Sequence, residues 1–327
     1  MNNSVEIARQ RAWSTYWSAG ALHSCADSFE RNYSGVIGEF WRSRFQSLPR
    51  ECRVLDLATG NGALPLLLWE LTHGQNDVRI DAVDFAQVAP SWYQPTLHPA
   101  IAFHPGVAME QLPFADSTFD FVVSQFGLEY ARWPQALHEI SRVSKPGAGA
   151  AFVMHHPDSV IVRVGREELR HLALLLSTEG LLDSARLVMP WIAHARAGRI
   201  DLAQGDEAAR SKQAYNRAAG HISGLIDASP APDLLIEMRA SVHSLLAGIG
   251  AGGAGPQLAQ LEELRQGLCA AELRAAELVE HAVDSQRLKE LMEVFQVARP
   301  DHSIACEPIA QAEGTLGWAV SLQPLNP

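Results

Sequence analysis

The spacing of apolar positions divides this 327-residue chain into four stretches. Residues 1–48 carry aromatics at helical intervals, including Trp13, Tyr16, Trp17, Phe29, Tyr33, Phe40, Trp41 and Phe45, and predict an N-terminal helical cap. Over 49–157, short apolar runs bounded by turn residues alternate with helical patterns. This predicts strands near 53–57, 79–83, 100–104, 119–124 and 150–155, in a parallel α/β sheet with covering helices. From 158 to 296 only helical spacing remains, at 161–177, 181–197, 206–227 and 233–247. A glycine-rich connection from Gly248 to Pro256 then leads into a long helix striped by Leu258, Leu261, Leu264, Leu268, Ala271, Ala275, Leu278 and Ala282. Within the last stretch, 297–327, strand signals return near 302–312 and 316–323, with Glu313 and Gly314 between them. About 135 helical residues thus separate the final hairpin from the sheet it is expected to complete.

The densest chemical signal lies in Val54 to Leu68, where a short apolar run ends in a turn carrying Gly60 and Gly62 and a helical pattern follows. A strand, a glycine turn and a helix open a nucleotide-binding unit, because the backbone must turn sharply and come close to a ligand. The helix N-terminus beyond it offers free N–H groups to a carboxylate or a phosphate. Asp56 ends the strand, where an acid can accept from an ammonium. A dinucleotide fingerprint would need a third small residue where Pro65 stands. The second run, Val78 to Asp84, ends in an acid suited to a ribose diol. An amino-acid-bearing nucleoside therefore fits better than a pyrophosphate.

Composition narrows the partners. Acids outnumber bases 37 to 26 for a formal charge of -11, which argues against nucleic acid as a partner. The four cysteines, Cys25, Cys52, Cys269 and Cys306, are scattered without metal or disulfide spacing, as expected of reduced cytoplasmic thiols. No basic-then-apolar leader opens the sequence and no apolar run reaches the ~20 residues of a membrane span. A cytoplasmic protein is expected.

With these motifs in place, the chain resembles the class I S-adenosylmethionine-dependent methyltransferases. Their D/E-x-G-x-G-x-G motif stands here as Asp56-Leu-Ala58-Thr-Gly60-Asn61-Gly62, with Ala58 for the first glycine. The similarity continues through Glu110 to Leu128 and closes with Ala136 to Gly147, covering roughly 50–157. It implies a Rossmann-like fold and S-adenosylmethionine as cofactor, with S-adenosylhomocysteine as product. The turn of Ala58, Gly60, Asn61 and Gly62 would lie against the methionine moiety, with Asp56 on its amino group. Asp84 would take the ribose hydroxyls and Phe85 would pack on adenine. Aligned on Leu112-Pro113-Phe114, the family's adenine-reading Asp becomes Ala108, which leaves the backbone of Ala108 and Met109, next to Glu110, to read that edge. Gln125 and Phe126 would close the site at the end of the fourth strand.

The acceptor side is less determined. Phe126-Gly127-Leu128 is similar to quinone-biosynthesis C-methyltransferases, which follow it with Arg-Asn. This chain has Glu129-Tyr130, so the quinone substrate does not carry over, and the absence of an Asn-Pro-Pro-Tyr motif argues against nucleobase amines. Methyl transfer needs alignment and exclusion of water, plus a base when the acceptor must lose a proton. His155 and His156, directly after the fifth strand, are candidate bases, or they satisfy the turn before Pro157; Glu129 and Tyr130 are alternatives. Substrate contacts are expected from Tyr16 and Tyr33, whose hydroxyls add a polar handle, and from Tyr130 and His155. His104, His155, His156 and Asp158 match no metal-ligand spacing, so no metal is expected. The expected function is methylation of a small apolar or aromatic molecule, with the insertion as a lid, a homodimer interface, or both. The alternatives are a protein or peptide methyltransferase docking through the insertion, and a noncatalytic S-adenosylmethionine-binding regulatory or assembly protein.

Overall fold

The computed structural model describes residues 3–25, 29, 31–72, 77–199, 205–312 and 314–325. Two helices, α1 (Asn3–Ser18) and α2 (Gly35–Gln46), precede the sheet. There follow β1 (Arg53–Leu57), α3 (Ala63–Thr72), β2 (Arg79–Asp84), β3 (Ile101–Pro105), β4 (Phe119–Gln125), a single 3-10 turn at Leu128–Tyr130, α4 (Trp133–Val143) and β5 (Ser144–His155). Five helices come next: α5 (Val160–Leu176), α6 (Leu181–Arg196), α7 (Gly205–Ala228), α8 (Asp233–Ala247) and α9 (Gly255–His281). The chain ends in α10 (Ser285–Ala298), β6 (His302–Gln311) and β7 (Gly314–Pro324). Glu313, expected in the final turn, lies outside the described residues.

The strands form one sheet in the order β3-β2-β1-β4-β5-β7-β6. Neighbours among the first five pair in parallel, and β7 runs antiparallel to both β5 and β6. The fold is thus Rossmann-like, with the terminal hairpin joined to β5. One strand starts earlier than its apolar run. Ser144 pairs with Phe119 ahead of a register shift, so β5 begins there instead of near 150.

Contacts separate two compact units, one of Met1–Arg163 with Glu277–Pro327 and one of Val164–Ala276. In the first, strand residues alternate between two cores, as the two-residue period of a strand requires. Val54, Ile80, Val123 and Val153 join the aromatics of α2 and the leucines of α3. Leu55, Val122, Phe152 and Met154 pack on the opposite face. There α10 supplies Leu288, Leu291 and Phe295, the last stacked on Phe152 at 5.6 Å. The second unit has its own core, where Leu172, Leu175, Leu181, Met189, Leu235, Val242, Leu261 and Leu268 meet.

Between β1 and β4 the strand order reverses, and open α/β sheets bind ligands outside the carboxyl ends at that point. The two loops there are tightly fitted. Ala58 sits at φ 55, a left-handed conformation that glycine adopts more easily, and its Cβ occupies the space that a Cβ on Gly127 would need, 2.4 Å away. The alanine is accommodated because its neighbour across the strands is glycine. Gly127→Ala is expected to destabilise the unit by about 1–3 kcal/mol through overpacking. Adding Ala58→Gly should recover the part of that loss due to Ala58, leaving the approach to Ser124 Oγ at 2.9 Å. A double-mutant cycle from urea denaturation checks this, and strictly additive effects contradict the pairing.

Candidate cofactor and active site

Asp84 organises the carboxyl edge. Its Oδ2 accepts the Gly60 N–H at 2.7 Å and its Oδ1 accepts the Ala86 N–H at 2.7 Å. One carboxylate thereby fixes the glycine turn after β1 to the end of β2. Each oxygen retains a lone pair, the number that two vicinal hydroxyls require. Burial pushes the carboxyl up to about 6, while those two N–H bonds and Arg9 act the other way.

Asp84 opens onto a cavity of about 400 Å³. Ala58, Phe85, Ala108, Met109, Glu110, Phe126 and Tyr130, all singled out in the sequence, line it together. Arg9, Trp13 and Trp17 of α1 form another part of the wall. Long-range bonds hold this helix in place: Gln10 donates to Phe85 O, Arg9 donates to Tyr130 O, and Glu277 receives both Trp13 Nε1 at 2.8 Å and the Arg9 guanidinium at 2.7 Å. None of these pairings has a local sequence signal, since Glu277 lies 264 residues from Trp13.

Several expected contacts take other roles. Tyr33 is a core residue stacked on His23, and Tyr16 packs edge-on against Trp13 and Trp17; neither lines the cavity, where the tryptophans stand instead. Asn61 donates its amide to Trp17 O and Ala21 O, which anchors the end of α1. Gly62 is needed by packing, since a Cβ would lie 2.5 Å from Phe103. A Cβ on Gly60 would lie 2.5 Å from Trp17, so that glycine lets the aromatic cap come down onto the turn.

Two buried polar atoms at the ends of β1 and β4 lack partners among the described residues: Asp56 Oδ2 and Gln125 Nε2. Gln125 is oriented by Trp41 Nε1, which donates to its Oε1. Neither residue is among those that line the cavity, but buried polar groups are seldom left unbonded, and each of these atoms is open to a further partner at the carboxyl edge. An acceptor and a donor on adjacent strands match the ammonium and carboxylate of an amino acid. With the diol-ready Asp84 and the apolar walls of Phe85 and Met109, the residues fit S-adenosylmethionine. Asp56 is only 1% exposed, and burial pushes its carboxyl up to about 8, with Thr59 acting against the rise and Asp84 adding to it.

At the end of β5, His155 and Glu129 meet. Glu129 Oε1 accepts both the His155 backbone N–H at 2.9 Å and Nδ1 at 2.7 Å. The imidazole stacks on Phe126, with centroids 4.1 Å apart, and Tyr130 stands edge-on at 6.1 Å. Burial, with the charges of Glu129 and Glu277, holds the Tyr130 hydroxyl well above its ordinary value, which suits a donor and not a base. His156 faces elsewhere: its Nδ1 accepts the Asp158 N–H and its ring lies against Trp318. His104 bonds Asp81. Among the described residues, no group of three or more His, Cys, Asp or Glu side chains is placed to hold a metal.

A family model described as a methyltransferase domain matches residues 54–147, the stretch that builds this edge. This α/β unit belongs to the class I S-adenosylmethionine-dependent methyltransferases. The methyltransferase unit is 31% identical over 141 residues to a demethylmenaquinone methyltransferase of Lysinibacillus sphaericus, covering 38% of this chain and 58% of that one. To a demethylmenaquinone methyltransferase of Thermus thermophilus it is 35% identical over 121 residues, covering 36% and 54%. The biotin biosynthesis bifunctional protein BioHC of Cellvibrio japonicus is 26% identical over 168 residues, covering 50% of this chain and 30% of that protein. The chain therefore spans between about a third and somewhat over half of the length of these relatives. Among solved structures, geranyl diphosphate C-methyltransferase from Streptomyces coelicolor A3(2) is 14% identical with a TM-score of 0.35, covering 45% of this chain and 65% of that one.

The Asp56 carboxyl gives a stability prediction with a definite sign. Its folded value of about 8 lies above the ordinary 3.8, so between those pH values the folded state keeps a proton that the unfolded state has lost. Stability from this group is therefore greatest at low pH, falls as pH rises from about 4 to 8, and is level above that. Asp84 adds a smaller fall between about 4 and 6. Without added ligand, Asp56→Asn should melt above the parent at pH 8 by at least about 2–4 °C, the shift that 1 kcal/mol produces in a domain of this size. The difference should shrink as pH falls towards 5. Thermal melts across that range check it, and a pH-independent difference contradicts it.

Proposed function

We propose that the protein transfers a methyl group from S-adenosylmethionine to a small apolar or aromatic molecule. The observation that carries this reading is Asp84 at the wall of a cavity that Trp13, Trp17, Phe85, Phe126 and Tyr130 help to line, with one backbone N–H on each oxygen and a lone pair left on each. When bound, the cofactor supplies an electrophilic methyl on a sulfonium, whose C–S electron pair returns to sulfur as the methyl leaves. Asp84 holds the ribose, Asp56 and Gln125 the amino-acid end, and Phe85 and Met109 flank the base. Trp13 and Trp17 exclude water from the charged centre, which strengthens each of these electrostatic contacts.

The small-molecule assignment is supported by two relatives named for demethylmenaquinone. The residues after Phe126-Gly127-Leu128 differ from the quinone-enzyme pattern, so the acceptor is proposed as a class and not as that quinone.

Calorimetric titration with S-adenosylmethionine and S-adenosylhomocysteine, with NADH as control, tests the cofactor. Both adenosyl compounds should bind and NADH should not. Asp84→Ala is expected to weaken binding by about 2–4 kcal/mol, the loss when charge-accepting bonds vanish and their partners stay buried. Near-parental affinity in that variant would remove Asp84 from the ribose site.

A further inference from the structure

We propose that Glu129 and His155 form a proton-accepting dyad, in which Glu129 positions the His155 ring so that Nε2 takes a proton from the methyl acceptor. The proposal rests on the methyltransferase reading and narrows it. The acceptor carries a removable proton on the atom that is methylated, as a phenolic hydroxyl does.

Three observations lead there. First, the ring is held on several sides. Glu129 Oε1 takes both its backbone N–H and its Nδ1, Phe126 stacks on its face, and Val283 donates its N–H to His155 O at 2.8 Å. A carboxylate accepts only, so Nδ1 carries a hydrogen. Neutral imidazole then has its lone pair on Nε2, while the ring's hydrogen bond to Glu129 is made at Nδ1.

Second, the arrangement is expensive for a purely structural contact. Glu129 is 0% exposed, and its second oxygen, Oε2, has no partner among the described residues. Burying a carboxylate costs several kcal/mol before any pairing repays it. A backbone N–H alone could fasten the Leu128–Tyr130 turn to β5 without a charge.

Third, the location fits. Phe126 and Tyr130 line the cavity on one side and flank the His155 ring, at 4.1 and 6.1 Å, on the other. Phe126 is itself held at φ 53, a strained conformation for an aromatic residue, and strain of this kind collects at functional sites. His155 thus lies just beyond the wall of the adenosine-sized cavity, on the side of the β4 and β5 ends.

As the acceptor oxygen bonds the methyl carbon, its O–H electron pair stays on oxygen and the proton passes to His155 Nε2. The imidazolium so formed faces the Glu129 carboxylate, which stabilises the new charge, and the proton then leaves to water. Glu129 acts through His155 and so is a positioning residue.

The test uses the full chain with S-adenosylhomocysteine added, its binding measured first by calorimetry. Long-range nitrogen–proton NMR on histidine-labelled protein at pH 8 reads the tautomer, with the His155 signals identified by their loss in His155→Phe. In the parent the proton should sit on Nδ1. In Glu129→Met it should move to Nε2, the tautomer that free histidine favours, while Glu129→Gln, which retains an acceptor, should keep a folded protein and the Nδ1–H form. Phenol and anisole then serve as matched probes in saturation-transfer titrations. Phenol should bind about tenfold more tightly, the worth of one hydrogen bond to a buried acceptor, and His155→Phe should abolish the preference. A parental Nε2–H tautomer, an unchanged tautomer in Glu129→Met, or a phenol preference that survives His155→Phe would overturn the dyad alone. Failure of S-adenosylhomocysteine to bind would overturn the cofactor assignment and the dyad with it.

Discussion

The site hangs on a single carboxylate. By accepting Gly60 N–H on one oxygen and Ala86 N–H on the other, Asp84 fixes the turn after β1 relative to the end of β2 and leaves a lone pair on each oxygen facing the cavity region. Without that clamp, two backbone donors would be buried without partners, and the turn would keep the Thr59 N–H bond to Val83 O as its tie to β2. The α1 helix depends on the same geometry, since Asn61, within the turn, carries the hydrogen bonds to Trp17 O and Ala21 O.

What the clamp supports is an edge rich in unfavourable features. Asp56 and Asp84 are buried acids raised by desolvation, Ala58 and Phe126 occupy left-handed backbone, and Asp56, Gln125 and Glu129 each leave an atom without a partner among the described residues. The two cores on either side of the sheet offset these costs, with Leu55, Leu57 and Phe152 fully buried in the strands that carry these ends. The left-handed Ala58 and Phe126 and the orphaned atoms of Asp56, Gln125 and Glu129 gather at or just beyond the carboxyl ends of the strands. This is the distribution expected where a preorganised site must meet a charged ligand.

Much of this was legible in the sequence, and for identifiable reasons. Strand ends are marked by acids, turns by glycines, and both signals are local, so Asp56, Gly60 and Asp84 could be placed from spacing alone. The Ala58 substitution was visible, but its compensation by Gly127 was not, because the two loops meet only through strand order. Likewise His155 and Glu129 each stood out, whereas their pairing depends on the 3-10 turn folding back across 26 residues. The clasp of Arg9 and Trp13 on Glu277 had no sequence signal, as nothing periodic links the first helix to the end of α9. Hydroxyl chemistry suggested Tyr16 and Tyr33 for the pocket wall, but Tyr33 fills a gap beside His23, and the larger indoles of Trp13 and Trp17 cover the turn.

The most direct test concerns Asp56, whose buried carboxyl leaves Oδ2 without a hydrogen-bond partner among the described residues and so points to a cation at the β1 end. S-adenosylhomocysteine should be titrated into the protein at pH 6.5 in two buffers that differ in ionisation enthalpy. At that pH the ligand ammonium is charged, its usual range being about 7.7–8.0, while Asp56 at about 8 is protonated in the free protein. Pairing the two must expel the carboxyl proton, so the heats should differ by the release of close to one proton per ligand, and Asp56→Asn should lose that release, keeping only the fraction that Asp84, at about 6, gives up. Identical heats in both buffers, or the same release from the variant, would contradict the assignment of Asp56 to the ligand ammonium.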